Sequence, residues 1–224
     1  MAENTSGEEP QNPTAAEGGI FKREYWKYIT PPKLVSAMQP EERKLFLREL
    51  GVQTILQRWD TAIGGKKQND YCACATLACA KNRYYLLDVW KERMEYPEML
   101  REIESRKARW TATRVNVEGG GSASGKAAVQ SIKRETVVPI FETITATDKV
   151  LRAETVSPSV ECGLVYLFSG EPWHADFIDQ CANFPNIAFD DDVDAFIGVM
   201  EEAISGPKPM NINPALLSAL GVRR

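Results

Sequence analysis

The sequence predicts an α/β fold in which a mixed sheet is flanked by helices, and three observations carry that prediction. Three β-patterned runs come first, separated only by a polar loop and a tight turn, so the sheet begins as an antiparallel meander. Strand and helix patterns alternate afterwards, as crossover connections to further strands require. The chain of 224 residues is 43% hydrophobic and 26% charged, an ordinary composition for one substantial domain.

The elements follow in order. Residues 1–19 are polar, acidic and Pro/Gly-bearing, which reads as a disordered arm. Residues 20–51 form a linker segment and a short helix. Its aromatic, basic stretch IFKREYWKYITPP is expected to dock back onto the domain or onto a neighbour. Pro40-Glu41-Glu42 then opens a helix whose apolar face holds Leu45, Phe46 and Leu50, with Gly51 as its stop. The domain proper is placed at 52–204. VQTILQRWD is the first strand, ending in Asp60. After Gly64-Gly65-Lys66-Lys67, YCACATLAC is the second, and Lys81-Asn82 turns into RYYLLDVW as the third. Pro97 starts a helix to about Arg106, and ATRVNVE (112–118) is a fourth strand. A Gly-rich loop leads to a helix from Gly125 to Arg134, and VVPIF is a short fifth strand. Thr147-Asp148 caps a helix to about Val156, and GLVYLF is a further strand-like segment. Helices from Trp173 to Cys181 and from Asp191 to Ile204 follow, then a tail at 205–224. The order β-β-β-α-β-α-β-α is that of the ribonuclease H-like fold.

Charge and cysteine usage exclude several function classes. Lys and Arg number 27 against 31 Asp and Glu, a net −4. The first 19 residues carry Glu3, Glu8, Glu9 and Glu17 and no basic residue, so the remainder is neutral. Gripping nucleic acid by net charge alone is therefore not expected, although a local basic strip is compatible with these numbers. No apolar run approaches the roughly 20 residues of a membrane span, and the acidic N-terminus is unlike a secretory signal. A cytoplasmic protein is expected. Cys72, Cys74 and Cys79 share one apolar run at a spacing poor for zinc, and His174 is the single histidine. The cysteines read as reduced, buried thiols, and histidine-based nucleophilic chemistry is disfavoured.

The acidic residues are more informative. Asp60 ends the first strand, Glu118 ends the fourth, and Asp190-Asp191-Asp192 opens the last helix with Asp194 one turn in. Carboxylates converging from strand ends and a helix start suit two hard divalent cations, Mg2+ or Mn2+. Two such ions about 3.5–4 Å apart activate a water and stabilise the leaving oxygen of a phosphodiester. For any one Asp the plainer reading is a helix cap. Four acids within five residues exceed what a cap needs, since like charges repel. The segment Gly120–Ala127 nearly matches a phosphate-binding loop, but Ala127 stands where a metal-ligating hydroxyl is required. A loop and helix start is the reading preferred to an NTP site. Lys126 and the helix N-terminus could lie over a DNA phosphate.

The run Gln57-Arg-Trp-Asp-Thr-Ala62, then Asn69-Asp-Tyr71, then RYYLLDVW resembles the start of the C-terminal nuclease domain of tailed-phage terminase large subunits. Similar pieces follow in the same order. They are Glu118 with its small-residue loop to Ser124-Gly125, Asp148-Lys-Val-Leu-Arg-Ala153, Val156-Ser-Pro158, Glu161 to Tyr166, Phe184-Pro, and Asp190-Asp-Asp-Val-Asp-Ala195. The segment 17–29 is similar to the one joining motor and nuclease in that family. The resemblance spans about 17–204. It implies a ribonuclease H-like endonuclease that cuts concatemeric double-stranded DNA during viral genome packaging with two Mg2+ or Mn2+ ions. It further implies Asp60 as the first-strand ligand, Glu118 as the fourth-strand ligand and Asp190 or Asp191 as the helix acid, Asp191 being favoured as the direct catalytic ligand, with Asp194 in support. Lys126, Lys149 and Arg152 are the candidate DNA contacts, with a solvated helix face as the plain alternative for the last two. Implied partners are the ATPase motor domain, the small terminase subunit and the portal, in a bacterial host cytoplasm. The family pattern has His where Phe189 stands, and the loop after Glu118 is about two residues longer. No motor precedes the domain here, so a nuclease-domain fragment or a separate polypeptide is expected, without ATPase activity. The alternatives are a resolvase or transposase core on the same fold, and an inactive prophage remnant serving as an assembly module.

Overall fold

Apolar runs buried largely on both faces, with a tight turn at Lys81-Asn82 between the last two, produce the predicted meander, and further strands add to both of its sides. The protein, seen in a computed structural model, is described for residues 19–61, 71–119, 122–145 and 147–206. The acidic arm, the Gly-Lys loop after Asp60 and nearly all of the tail lie outside the described residues. The strands are β1 (Lys27–Ile29), β2 (Thr54–Asp60), β3 (Cys72–Ala80), β4 (Arg83–Glu92), β5 (Arg114–Glu118), β6 (Ile140–Thr143) and β7 (Val165–Phe168). They form one sheet in the order β1-β7-β4-β3-β2-β5-β6. The β2-β3-β4 pairs are antiparallel, while β5 joins β2, β6 joins β5, β7 joins β4 and β1 joins β7 in parallel. This is the expected mixed sheet.

Helices cover both faces, as a partly parallel sheet requires. They are α1 (Pro40–Glu49), α2 (Tyr96–Trp110), α3 (Ala123–Glu135), α4 (Lys149–Glu161), α5 (His174–Asn183) and α6 (Asp191–Ser205). One core joins α1, α2 and α3 to the face carrying Ile55, Trp59, Val115 and Val117. The other joins α4, α5 and α6 to Leu56, Ala73, Ala75 and Leu77. The small residues of β3 let α6 lie directly on the sheet centre.

Three elements differ from the sequence expectation. β1 arises inside the aromatic stretch, which docks back through Phe21 and Trp26 into the α6 core. Helix α4 runs past Val156 through Pro158 to Glu161, because Val156 and Val160, one turn apart, are both buried and hold the last turn to the sheet. Helix α2 extends to Trp110, whose buried ring closes the opposite core.

Candidate active site

Strand alternation decides which side chains can meet. In β2, Ile55 and Trp59 enter the α1/α2/α3 core, so Leu56, Arg58 and Asp60 face the α6 side. In β5, Val115 and Val117 point with Trp59, which leaves Asn116 and Glu118 on the α6 side. The parallel register pairs Trp59 with Val117, so Asp60 and Glu118 end adjacent strands side by side. Helix α6 crosses β2 and β3 on this face, and its first turn carries Asp191, Asp192 and Asp194 after the cap residue Asp190.

The electrostatics show that these groups sense one another. Burial pushes the Asp194 carboxyl up to about 7, and the neighbouring Asp190 and Asp60 charges push the same way, against Arg152 and Lys149. Asp194 Oδ1 is buried and has no hydrogen-bond partner. Such a carboxylate in dry surroundings is poised for a cation. Glu118 is held differently. Burial raises its pKa, but the charge and hydrogen bond of Arg58, with help from Thr145 and Arg152, outweigh it and keep the carboxyl below its usual range. Arg58 Nη2 donates to Glu118 Oε2 at 2.8 Å and to Thr145 Oγ1 at 3.0 Å.

The structure sorts the acidic run by role. Asp190 makes no side-chain cap, and its carboxylate accepts from the Lys149 ammonium. Asp192 is buried and structural: its Oδ2 accepts from Gln180 Nε2 at 2.8 Å and pairs with Lys91 Nζ at 3.1 Å. Asp191 opens the helix beside them, half-buried. Among the described residues, no group of three or more carboxylate, imidazole or thiol side chains stands close enough to hold an ion as they lie. Two of the acids are held in ion pairs, Glu118 by Arg58 and Asp190 by Lys149. The donor set is nonetheless all oxygen and anionic, which fits Mg2+ or Mn2+.

The three candidate DNA contacts separate. Lys126 is exposed on α3, at the same sheet end as Glu118 but on the opposite face. Gly120 and Gly121 of the preceding loop lie outside the described residues. Ser122 caps α3 by accepting from Gly125 N at 3.1 Å, and a side chain at Gly125 would meet Gly119 O at 1.9 Å. Lys149 turns to Asp190. Arg152 is 5% exposed rather than on a solvated helix face, and its Nε donates to Glu201 at 2.9 Å.

Arg58, 2% exposed, was not singled out from sequence, although its two-residue offset from Asp60 is the available signal. With Arg152 it borders a cavity of about 400 Å3 between the β5–β6 edge, α4 and α6. Gly198 makes room for both. A Cβ there would lie 2.9 Å from Arg58 Nε and 3.3 Å from Arg152 Nη2. Gly198→Leu is expected to cost about 1–3 kcal/mol by overpacking, read as a lower urea midpoint. A second expectation concerns pH. The folded Asp194 carboxyl holds its proton up to about 7, whereas an ordinary one loses it near 3.8. The native state therefore binds more protons across that window, and stability in EDTA falls as pH rises through it. Urea midpoints at pH 5 and pH 8 check this, and Asp194→Asn should flatten the difference.

Comparison with known proteins bears on the fold that carries these residues. A family described as "Terminase RNaseH-like domain" matches residues 57–201, from β2 into the last turns of α6. No curated protein matches the chain. Among solved structures, the nuclease domain of the P22 large terminase aligns with a TM-score of 0.53 at 16% identity, covering 84% of this chain and 94% of that one. The human cytomegalovirus terminase nuclease domain aligns at 0.51 and 14%, covering 71% and 85%. The large terminase of a thermophilic bacteriophage, in complex with ADP, aligns at 0.55 and 7%, covering 84% of this chain and 44% of that one.

Proposed function

The chain belongs to the terminase RNaseH-like domain family, and from that premise we propose that it is a metal-dependent endonuclease cutting double-stranded, concatemeric viral DNA during genome packaging. One observation carries the reading. Asp60 and Glu118 end adjacent parallel strands, on the face and at the sheet end where the acidic first turn of α6 arrives. Asp60, Glu118 and Asp191 would hold two divalent ions, with Asp190 and Asp194 in support. A Mn-soaked structure of the human cytomegalovirus domain supports this choice of cation. Bound there, the ions supply Lewis-acid activation of water and neutralise charge on the phosphate. The protein's own part is positioning. Arg58 fixes Glu118, Lys91 and Gln180 fix the start of α6 through Asp192, and Arg152 ties α4 to α6 through Glu201. Lys126 takes a DNA phosphate at the rim, and Lys149 exchanges Asp190 for another.

A neutral domain grips DNA weakly, so partners are expected to place it. The ATPase motor, the small terminase subunit and the portal fill that role in this reading, in a bacterial cytoplasm. Among the described residues no helix is long and apolar enough to cross a membrane. Plasmid cleavage tests the proposal. Nicking and linearisation with Mg2+ or Mn2+, abolished by EDTA and not confined to branched substrates, is the expected result. Intact plasmid at high protein concentration with both metals would overturn it.

A further inference from the structure

We propose that Phe189, Tyr71 and Arg93 form a nucleotide platform at the rim of the carboxylate site. The aromatic pair takes the deoxyribose adjoining the phosphate that is cut, and Arg93 takes a phosphate on the same strand. The proposal rests on the nuclease reading above and adds the means by which duplex DNA is seated there.

Strand ends bring the three together. Cys72 pairs with Glu92 at the end of the β3–β4 ladder, so Tyr71 just before β3 and Arg93 just after β4 emerge side by side. That is also where Asp60, paired with Ala73, ends β2. Phe189 arrives from the other direction, as the residue immediately before Asp190. The Tyr71 and Phe189 rings meet edge to face at 5.6 Å and 74°. The Arg93 guanidinium lies 4.5 Å from the Tyr71 centroid and 6.0 Å from that of Phe189.

Core packing does not account for this group. Phe189 is 55% exposed and enters neither hydrophobic core. Arg93 is exposed and pairs with no carboxylate among the described residues, so its charge is engaged there only by the ring faces. Lys91, by contrast, is committed to Asp192 and Gln180, so Arg93 is the cation beside these two rings that no carboxylate holds among the described residues. The exposed Phe189 ring, set against the half-buried Tyr71 and backed by a guanidinium, suits a duplex backbone, whose deoxyribose offers an apolar face and whose phosphate an anion. The acids alone would repel the phosphate backbone, so a cation beside them is needed to bring the strand in.

The test uses the full chain. Binding to a fluorescent 20-base-pair duplex is followed by anisotropy in EDTA at several salt concentrations, beside plasmid cleavage with Mn2+. Phe189→Ala is expected to weaken binding about threefold through lost apolar contact, with Phe189→Tyr close to wild type. Arg93→Ala is expected to lower the slope of log affinity against log salt by about one, with Arg93→Lys retaining it. KM for cleavage should rise with little change in kcat. Unchanged affinity and unchanged salt slope in both alanine variants would overturn the platform even while the wild type cuts. Weakened binding by Phe189→Ala, in a protein whose wild type never cuts, would retain the platform and overturn the nuclease reading. If Phe189→Ala fails to fold, Arg93→Ala decides through its salt slope alone.

Discussion

Asp60→Asn is expected to abolish metal-dependent plasmid cleavage while leaving the fold intact. The substitution keeps the volume and removes one anionic oxygen ligand from the proposed site. Losing a ligand to hard cations removes several kcal/mol of transition-state stabilisation. At 1.36 kcal/mol per decade this is a fall of about a thousandfold or more in rate. The Asp60 charge also helps to raise the pKa of Asp194, so its removal lessens that push. Circular dichroism and thermal unfolding in EDTA should remain close to the wild type. Cleavage retained within tenfold would remove Asp60 from the catalytic set.

The largest stability effect is expected from Phe196→Ala. This ring is fully buried on α6 and contacts Phe177 at 5.4 Å, Trp26 at 5.6 Å and Phe21 at 5.7 Å between centroids. Truncating such a residue leaves a cavity and costs about 3–5 kcal/mol, much of the ~5–15 kcal/mol that holds a domain together. For a chain of this size the melting temperature should fall by about 10 °C. Tryptophan fluorescence reports the loss directly, because Trp26 is one of the partners. A fall of less than about 2 °C would mean that the N-terminal aromatic segment and α6 do not share a core. The site would suffer with the fold, since the same helix carries the acids two to six residues earlier.

Much of this was legible in the residues because the signals were local. The meander announces itself through neighbouring strands joined by a polar loop and a tight turn, and Asp60 and Glu118 are visible as the last residues of β-patterned runs. The unread parts depend on distant partners. β1 is three residues long and exists because Lys27–Ile29 pairs with Tyr166–Phe168. Pro158 would ordinarily close a helix, yet burial of Val160 carries α4 beyond it. The inward turn of Arg152 needs Glu201 and the space at Gly198. Within the acidic run, nothing local separates Asp192 from its neighbours. Lys91 on β4 and Gln180 on α5 do so.

The order in which the acidic groups occur along the chain has a consequence for biosynthesis. Asp60 and Glu118 emerge from the ribosome early, but α6 begins only at residue 191, and the edge strand β1 waits for β7 at residue 165. Such long sequence separations delay closure of the sheet until most of the polypeptide is available. A chain released prematurely before α6 retains two of the clustered carboxylates and lacks the helix that brings the others. In the proposed reading such a chain lacks part of the ligand set, and it is expected to leave plasmid DNA uncut with either metal.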